Sequence, residues 1–232
     1  MIKDEATRTT PRNDPSRKEK LLAAALDIFG RYGFDGTSTR QLADAAGVNL
    51  QAIPYYFGGK DGLYLATADH LVSLIEAHVG EMRRQMGARL AALDAAGESL
   101  TPVEARLLLT GIARTMITLL VSKQSESWAR FIIREQMEPT EAFERIYQGI
   151  MAPMIGIARR LVGVLLDTDP TSERVRLRTL SFVGNILVFR VAHAAVLAQM
   201  EWETVGPRQL ETLHALAAEL VTALNPEKGP AA

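Results

Sequence analysis

Gln51, Ala52 and Leu50 are of types, and at a spacing, that could read a duplex: an amide that pairs with adenine, a methyl that packs on a thymine methyl, and a leucine that either touches a thymine methyl or shields a helix start. They fall in the segment from Thr37 to Lys60, TSTRQLADAAGVNLQAIPYYFGGK, which must present them. Ser38 is placed to cap a first helix, with Gln41 reaching back in a capping box. Leu42, Ala43 and Ala46 then share one face, and the two alanines let a second helix cross closely. Gly47 supplies the positive φ that turns the chain, Val48 plugs the corner, and Asn49 caps the next helix. Ile53 and Tyr56 complete a shared core, so the second helix projects outward, where it fits a DNA major groove. Two helices around a glycine turn occur in many small proteins, so the flanking sequence has to decide.

Upstream, Ser16-Arg17-Lys18-Glu19 is a second capping box with Pro15 just outside it. It opens an amphipathic helix with the apolar stripe Leu22, Ala25, Leu26, Phe29 and Tyr32, ending at Gly33. Downstream, Phe57-Gly58-Gly59-Lys60 is a break before a long helix that begins Asp61-Gly62-Leu63-Tyr64. A first helix, a helix-turn-helix and a long outgoing helix make a compact head on a stalk.

From about Arg17 to Leu65 the chain resembles the DNA-binding head of the tetracycline-repressor (TetR) family of bacterial regulators. The residues that carry the resemblance are ALDIFGRYGFDGTSTRQLADAAGV, Tyr55-Tyr56-Phe57 and Gly59-Lys60-Asp61-Gly62-Leu63-Tyr64. The remainder, with RFIIREQMEPTEAF and SFVGNILVFRVAHAAVL, is similar in outline to the branch with a CecR-like C-terminal domain. The resemblance implies a sequence-specific DNA-binding transcriptional regulator, a repressor released from a palindromic operator by a small-molecule effector. It implies that Arg40 reaches a guanine, whose O6 and N7 match a guanidinium; a phosphate contact or an ion pair with Asp44 stays open beside it. It implies sugar-phosphate contacts for Ser38, Thr39, Tyr55, Tyr56 and Lys60, with Asn49 in the same DNA-facing set, although the Tyr56 ring also suits the head core. One residue departs from the pattern: Pro54 stands where most members have tyrosine. A proline there removes a backbone donor to Leu50, so a short, tightened or kinked recognition helix is expected.

Composition agrees. The chain has 232 residues, 47% hydrophobic and 6% aromatic, with helix formers in the long segments, so an all-α fold is expected: a three-helix head joined to a larger helical ligand-binding and dimerisation domain. The absence of cysteine excludes disulfides, thiolate metal sites and cysteine nucleophiles. Net charge is −1; residues 1–60 hold nine Lys or Arg against seven Asp or Glu, a net of +2 that leaves −3 for the rest. Such a head holds phosphate through placement more than bulk charge. The N-terminus lacks the apolar core of a signal peptide, and Thr101 to Val121 carries Glu104, Arg106 and Arg114, which argues against a membrane span; the cytoplasm is expected. The domain reading is an arm over 1–15 whose Arg8 and Arg12 could follow a minor groove, a head over 16–62, a regulatory and dimerisation domain over 63–225, and a tail over 226–232.

The stalk helix is expected from Asp61 to about Leu93, with Gly80 and Gly87 as candidate breaks, followed by helices over 102–122, 125–137, 140–166, 171–201 and 207–223, with a kink at Pro153. Leu180, Gly184, Leu187, Val188, Val191 and Ala195 form a stripe wider than one core face needs; with Leu213, Ala217 and Leu220 of the last helix they are expected to pair with a second copy. Met116, Trp128, Phe131, Ile132, Tyr147, Met151, Phe182 and Phe189, with the polar Glu135, Asn185 and His193, are expected around a pocket for a hydrophobic or amphipathic effector; core packing is the alternative for each. No cofactor or metal is expected. The histidines His70, His78, His193 and His214 show no nucleophile or ligand spacing, and Gly58-Gly59-Lys60 lacks the first glycine and the Ser/Thr of a phosphate loop. Besides an enzyme, the competing reading is a helical protein-binding scaffold or small-molecule binder without DNA binding.

Overall fold

The computed structural model describes residues 15–226, which fold into helices with no strand among them. The expected arm with Arg8 and Arg12 lies outside the described residues, as does all of the expected tail beyond Pro226. Helix α1 (Pro15–Tyr32), α2 (Thr39–Ala46) and α3 (Ala52–Phe57) form the head, and α4 (Lys60–Ala96) leads out of it. The body adds α5 (Pro102–Val121), α6 (Ser125–Met137), α7 (Glu141–Ile146), α8 (Ala152–Leu165), α9 (Glu173–Val191), α10 (His193–Gln199) and α11 (Pro207–Thr222).

Local chemistry sets these boundaries. Thr101 and Glu104 exchange hydrogen bonds in a full capping box at the start of α5, with Pro102 in the first turn. Ser172 caps α9 by accepting from the Val175 N–H at 3.3 Å. Helix α4 runs unbroken for 37 residues, so neither Gly80 nor Gly87 interrupts it. The expected helix over 140–166 divides instead: a π-turn at Tyr147–Met151 separates α7 from α8, next to Pro153. A proline cannot donate to the carbonyl four residues back, and a wider turn takes up the mismatch. The π-turn also sets Gly149 against α4, where a Cβ would come within 2.8 Å of Val72 Cγ1. The helix expected over 171–201 bends by 79° between α9 and α10.

Two apolar cores run through the molecule, and the first does not stop at the head boundary read from sequence. The first joins the head residues Leu21, Ala25, Phe29, Leu42, Ala46 and Ile53 to Leu63, Leu71 and Val79 of α4, Trp128 and Phe131 of α6 and Ile146 of α7. The second gathers Leu90, Leu109, Ile117, Leu161, Phe182, Phe189, Leu213 and Ala217. Met82, Met116 and Met154 touch both, and flexible thioether side chains suit such a seam. Tyr32, expected in the α1 stripe, is 53% exposed, because α1 ends there and Phe34 covers the core in its place.

Head and body lock where α1 crosses α6. Gly30 permits the crossing: a Cβ there would lie 3.1 Å from Arg130 Cβ and 3.3 Å from the Phe131 nitrogen. Tyr64 packs edge-on against Phe29 and Phe34, and its ring centroid is 5.1 Å from that of Phe131. The Tyr64 hydroxyl donates to Glu135 Oε1, while Glu135 Oε2 accepts from the Thr140 N–H at 3.1 Å and its hydroxyl at 2.8 Å. Burial, reinforced by that bond, pushes the Tyr64 phenol above its ordinary pKa. Glu135 is 1% exposed, so deleting it strands the buried Tyr64 hydroxyl of α4 and removes the partner of Thr140 at the start of α7. Glu135→Ala is expected to cost about 2–4 kcal/mol and Tyr64→Phe about 1 kcal/mol, because unsatisfied buried groups cost more than a lost bond. Thermal or denaturant unfolding reads both; a loss under about 0.5 kcal/mol for Glu135→Ala would refute this role.

Candidate nucleic-acid interface

The head presents α3 by a short, fully bonded turn. Ser38 Oγ accepts from the Gln41 N–H at 3.1 Å and starts α2, while the buried Thr37 hydroxyl donates to the Gly33 carbonyl at 2.6 Å. Gly47, at φ 63°, ends α2, and the Val48 N–H returns to the Ala43 carbonyl at 3.0 Å. Asn49 Oδ1 then accepts from the Gln51 N–H at 2.8 Å, capping the turn that becomes α3.

Pro54 is accommodated by tightening, one of the outcomes expected for it. It is the third residue of α3, inside the first turn where a missing N–H is tolerated. The Leu50 carbonyl, which Pro54 cannot serve, accepts from Ile53 at 3.2 Å instead, and the Asn49 carbonyl accepts from Ala52 at 2.9 Å. The ladder continues normally with Tyr55 to Gln51 at 3.2 Å and Gly58 to Pro54 at 3.0 Å. The six-residue helix thus opens with bonds spanning three residues rather than four and is closed at its other end by Gly58 at φ 75°.

Around this turn the expected DNA-facing residues share one end of the head. Ser38, Arg40, Asn49, Leu50, Gln51 and Tyr55 are exposed, with Leu50 at 41% and Tyr55 at 56%, while Ile53 at 0% anchors the opposite face of α3. Thr39, Ala52, Tyr56 and Lys60 are half-buried. The Tyr56 ring packs against the first core, the core role considered for it, and stands edge-on to Tyr55 at 4.9 Å. Lys60 Nζ sits 4.2 Å above the Phe34 ring, which fixes its stem at the base of α3. Lys18 was not anticipated: its Nζ lies 5.9 Å from the Phe57 ring centroid and brings the start of α1 beside the end of α3. Only the fold joins residues so far apart in sequence.

The body residues divide differently. Leu180, Gly184, Leu187, Val188, Val191 and Ala195 are all exposed, and Leu180 at 53% and Val191 at 60% make α9 an uncovered apolar face together with Leu177. Leu213 and Ala217, grouped with them from sequence, are at 4% and 0% exposure because α11 turns that stripe onto α5; Leu220 is half-buried beside them. The expected pocket residues do not surround a common space. Trp128, Phe131, Ile132, Met116 and Met151 belong to the first core, and Phe182 and Phe189 to the second. Tyr147 stacks on Phe143 at 5.6 Å, Glu135 is consumed by Tyr64 and Thr140, and Asn185 is exposed on α9. His193 Nδ1 hydrogen-bonds to the Phe189 carbonyl at 3.1 Å across the α9–α10 bend. The core alternative describes most of these residues, and two surface cavities, of about 640 and 430 Å³, are lined by none of them.

The fold and this tip have known counterparts. Residues 21–67 match the model of bacterial regulatory proteins of the tetR family, and residues 105–225 match the model of the C-terminal domain of the HTH-type transcriptional dual regulator CecR. The chain is 33% identical to the HTH-type transcriptional dual regulator CecR of Shigella flexneri over 197 residues, which is 85% of this chain and 86% of that protein. Among solved structures, the TetR-family regulator SCO4454 of Streptomyces coelicolor matches with a TM-score of 0.61 at 15% identity, covering 91% of this chain and 89% of that one. AibR, solved with isovaleryl coenzyme A and operator DNA, matches with a TM-score of 0.58 at 17% identity, covering 90% and 98%. With an exposed, glycine-turned α3 at its tip and both family models matched along its length, the chain belongs to the TetR family of DNA-binding transcriptional regulators and carries a CecR-type C-terminal domain.

Proposed function

We propose that the protein works in the cytoplasm as a homodimeric repressor that seats two α3 helices in successive major grooves of a palindromic operator and lets go when a small molecule binds the body. The observation that carries this reading is the pairing of two uncovered surfaces: the tip around Gln51, and the apolar face of α9 with Leu180 and Val191. A two-fold axis through α9 gives two tips, and two tips need a palindrome. Arg40 and Gln51 read base edges, Ala52 and Leu50 meet thymine methyls, and Ser38, Thr39, Asn49, Tyr55, Tyr56 and Lys60 hold the backbone. Glu141–Leu165 has the length and apolarity of a bilayer span, yet its Arg145 and Arg160 pair with Asp69 and Asp94 of α4, so no membrane partner is proposed.

Selection of bound duplexes from a random pool supplies the operator. On that duplex Arg40→Ala and Gln51→Ala are each expected to cost about 1–3 kcal/mol of discrimination at their own positions while weak, salt-dependent binding to random DNA persists. Undiminished discrimination in both variants would overturn the readout assignment. Leu180→Glu is expected to leave the helical circular-dichroism signal intact, shift sedimentation toward the monomer and lower operator affinity at least tenfold, since a buried unpaired carboxylate opposes association. A dimer that survives Leu180→Glu together with Val191→Glu would place the two-fold axis elsewhere.

A further inference from the structure

The body surface carries an open groove of about 430 Å³ where α4, α5 and α11 meet at the corner between α5 and α6, with His78, Arg114, Thr118 and Gln124 exposed along it. Its volume lies in the range of about 300–1,000 Å³ common for small-molecule sites. The chemistry of its lining is one-sided. Its polar lining includes His78 of α4, Arg114 and Thr118 of α5, Gln124 of the corner and His214 of α11, and no Asp or Glu is among the lining residues. No carboxylate pairs with Arg114 among the described residues; its Nε makes only a long contact of 3.5 Å to the His214 carbonyl.

Hydrogen bonding orients the two imidazoles. The Thr118 hydroxyl donates to the Arg114 carbonyl at 2.9 Å, so its oxygen accepts from His214 Nε2 at 2.9 Å and places a proton on that nitrogen. His78 Nδ1 donates to the Leu74 carbonyl at 2.8 Å, so its Nε2 accepts in the neutral ring and donates only when the ring takes up a proton. The Trp128 ring holds the His78 ring edge-on, with centroids 5.4 Å apart. Leu119 supplies an apolar wall. A planar guanidinium with no carboxylate partner among the described residues, beside the free Nε2 of His78 and one apolar side, matches the carboxyl group of an acid on a small apolar body. Thr118 and His214 are bonded to each other and hold the wall.

We propose that this groove is the effector site and that it binds small organic acids, with the carboxyl group on Arg114, the acid's proton held between a carboxyl oxygen and His78 Nε2, and the apolar part against Leu119. This rests on the reading of the chain as an effector-responsive regulator and names the ligand class that reading left open. The occupant touches α4 directly through His78 and reaches α6 through Trp128, the two helices whose Tyr64 and Glu135 lock the head.

The test is calorimetric titration of the purified full-length protein with benzoate, phenylacetate and hexanoate, beside benzamide and inorganic phosphate. In a Trp202→Phe background the emission of Trp128 reports ligand arrival at His78. At least one organic acid is expected to bind and to change that emission, with benzamide and phosphate at least tenfold weaker. Arg114→Leu and His78→Gln are each expected to weaken the acid by roughly 10- to 100-fold, the worth of a charge-assisted hydrogen bond, without lowering the melting temperature. Failure of all three acids, equal binding of benzamide, or full affinity in Arg114→Leu would overturn the site. Release of the selected operator duplex is measured separately. Acid binding without release would keep the site and remove the regulatory reading.

Discussion

A buried hydrogen bond between Tyr64 and Glu135 is the constraint on which the rest of this molecule depends. Tyr64 belongs to the helix that leaves the head and Glu135 to the helix the head rests on, and Phe29, Phe34 and Phe131 close around the pair. In a dry setting such a bond is stiff and directional, and its second oxygen also pins the start of α7 through Thr140. The head is therefore part of the first core, and a displacement of α6 or α4 reaches α1 through packed side chains. The shared core is also why 16–62 is a poor boundary for a separable domain, although it is a good boundary for a motif.

A looser electrostatic seam runs beside this joint. Asp27 of α1 is held by Arg31 at 2.9 Å and by Arg130 of α6 at 3.3 Å, and Arg130 also grips Glu126 at 2.7 Å. Arg190 of α9 donates to the Leu120 and Ser122 carbonyls at 2.5 and 2.6 Å, closing the frayed end of α5 at the same corner. Burial lowers the Arg190 pKa, with Glu126 opposing the shift. The Asp27, Arg130 and Glu126 side chains are a third to a half exposed, so these pairs orient the crossing more than they stabilise it.

The parts legible in sequence were those written in local chemistry. Ser38, Gly47 and Asn49 each act on atoms within five residues, so the turn, its caps and the outward aim of α3 follow from short-range rules. The effect of Pro54 was legible for the same reason, because both the donor it lacks and the Ile53 N–H that replaces it lie within one turn. The α9 stripe was readable because it carries more apolar positions than a single core face requires. What failed was anything decided by which helix meets which. Leu213 and Ala217 carry the same periodicity whether they face a second copy or α5, and the pocket aromatics look alike in a cavity or a filled core. Lys18 against Phe57, Tyr64 against Glu135 and His78 near His214 join distant stretches, and no local pattern announces them.

The unbroken α4 has a mechanical meaning. At 37 residues it is about 55 Å long, with one end among the head residues and the other in the second core. A stiff rod of that length amplifies angle into travel: tilting it by about 5° about its far end moves its tip by about 5 Å, more than the 3.4 Å rise of one base-pair step. An adjustment too small to disturb packing at the pivot thus suffices to carry a fingertip from one rung of the duplex to the next.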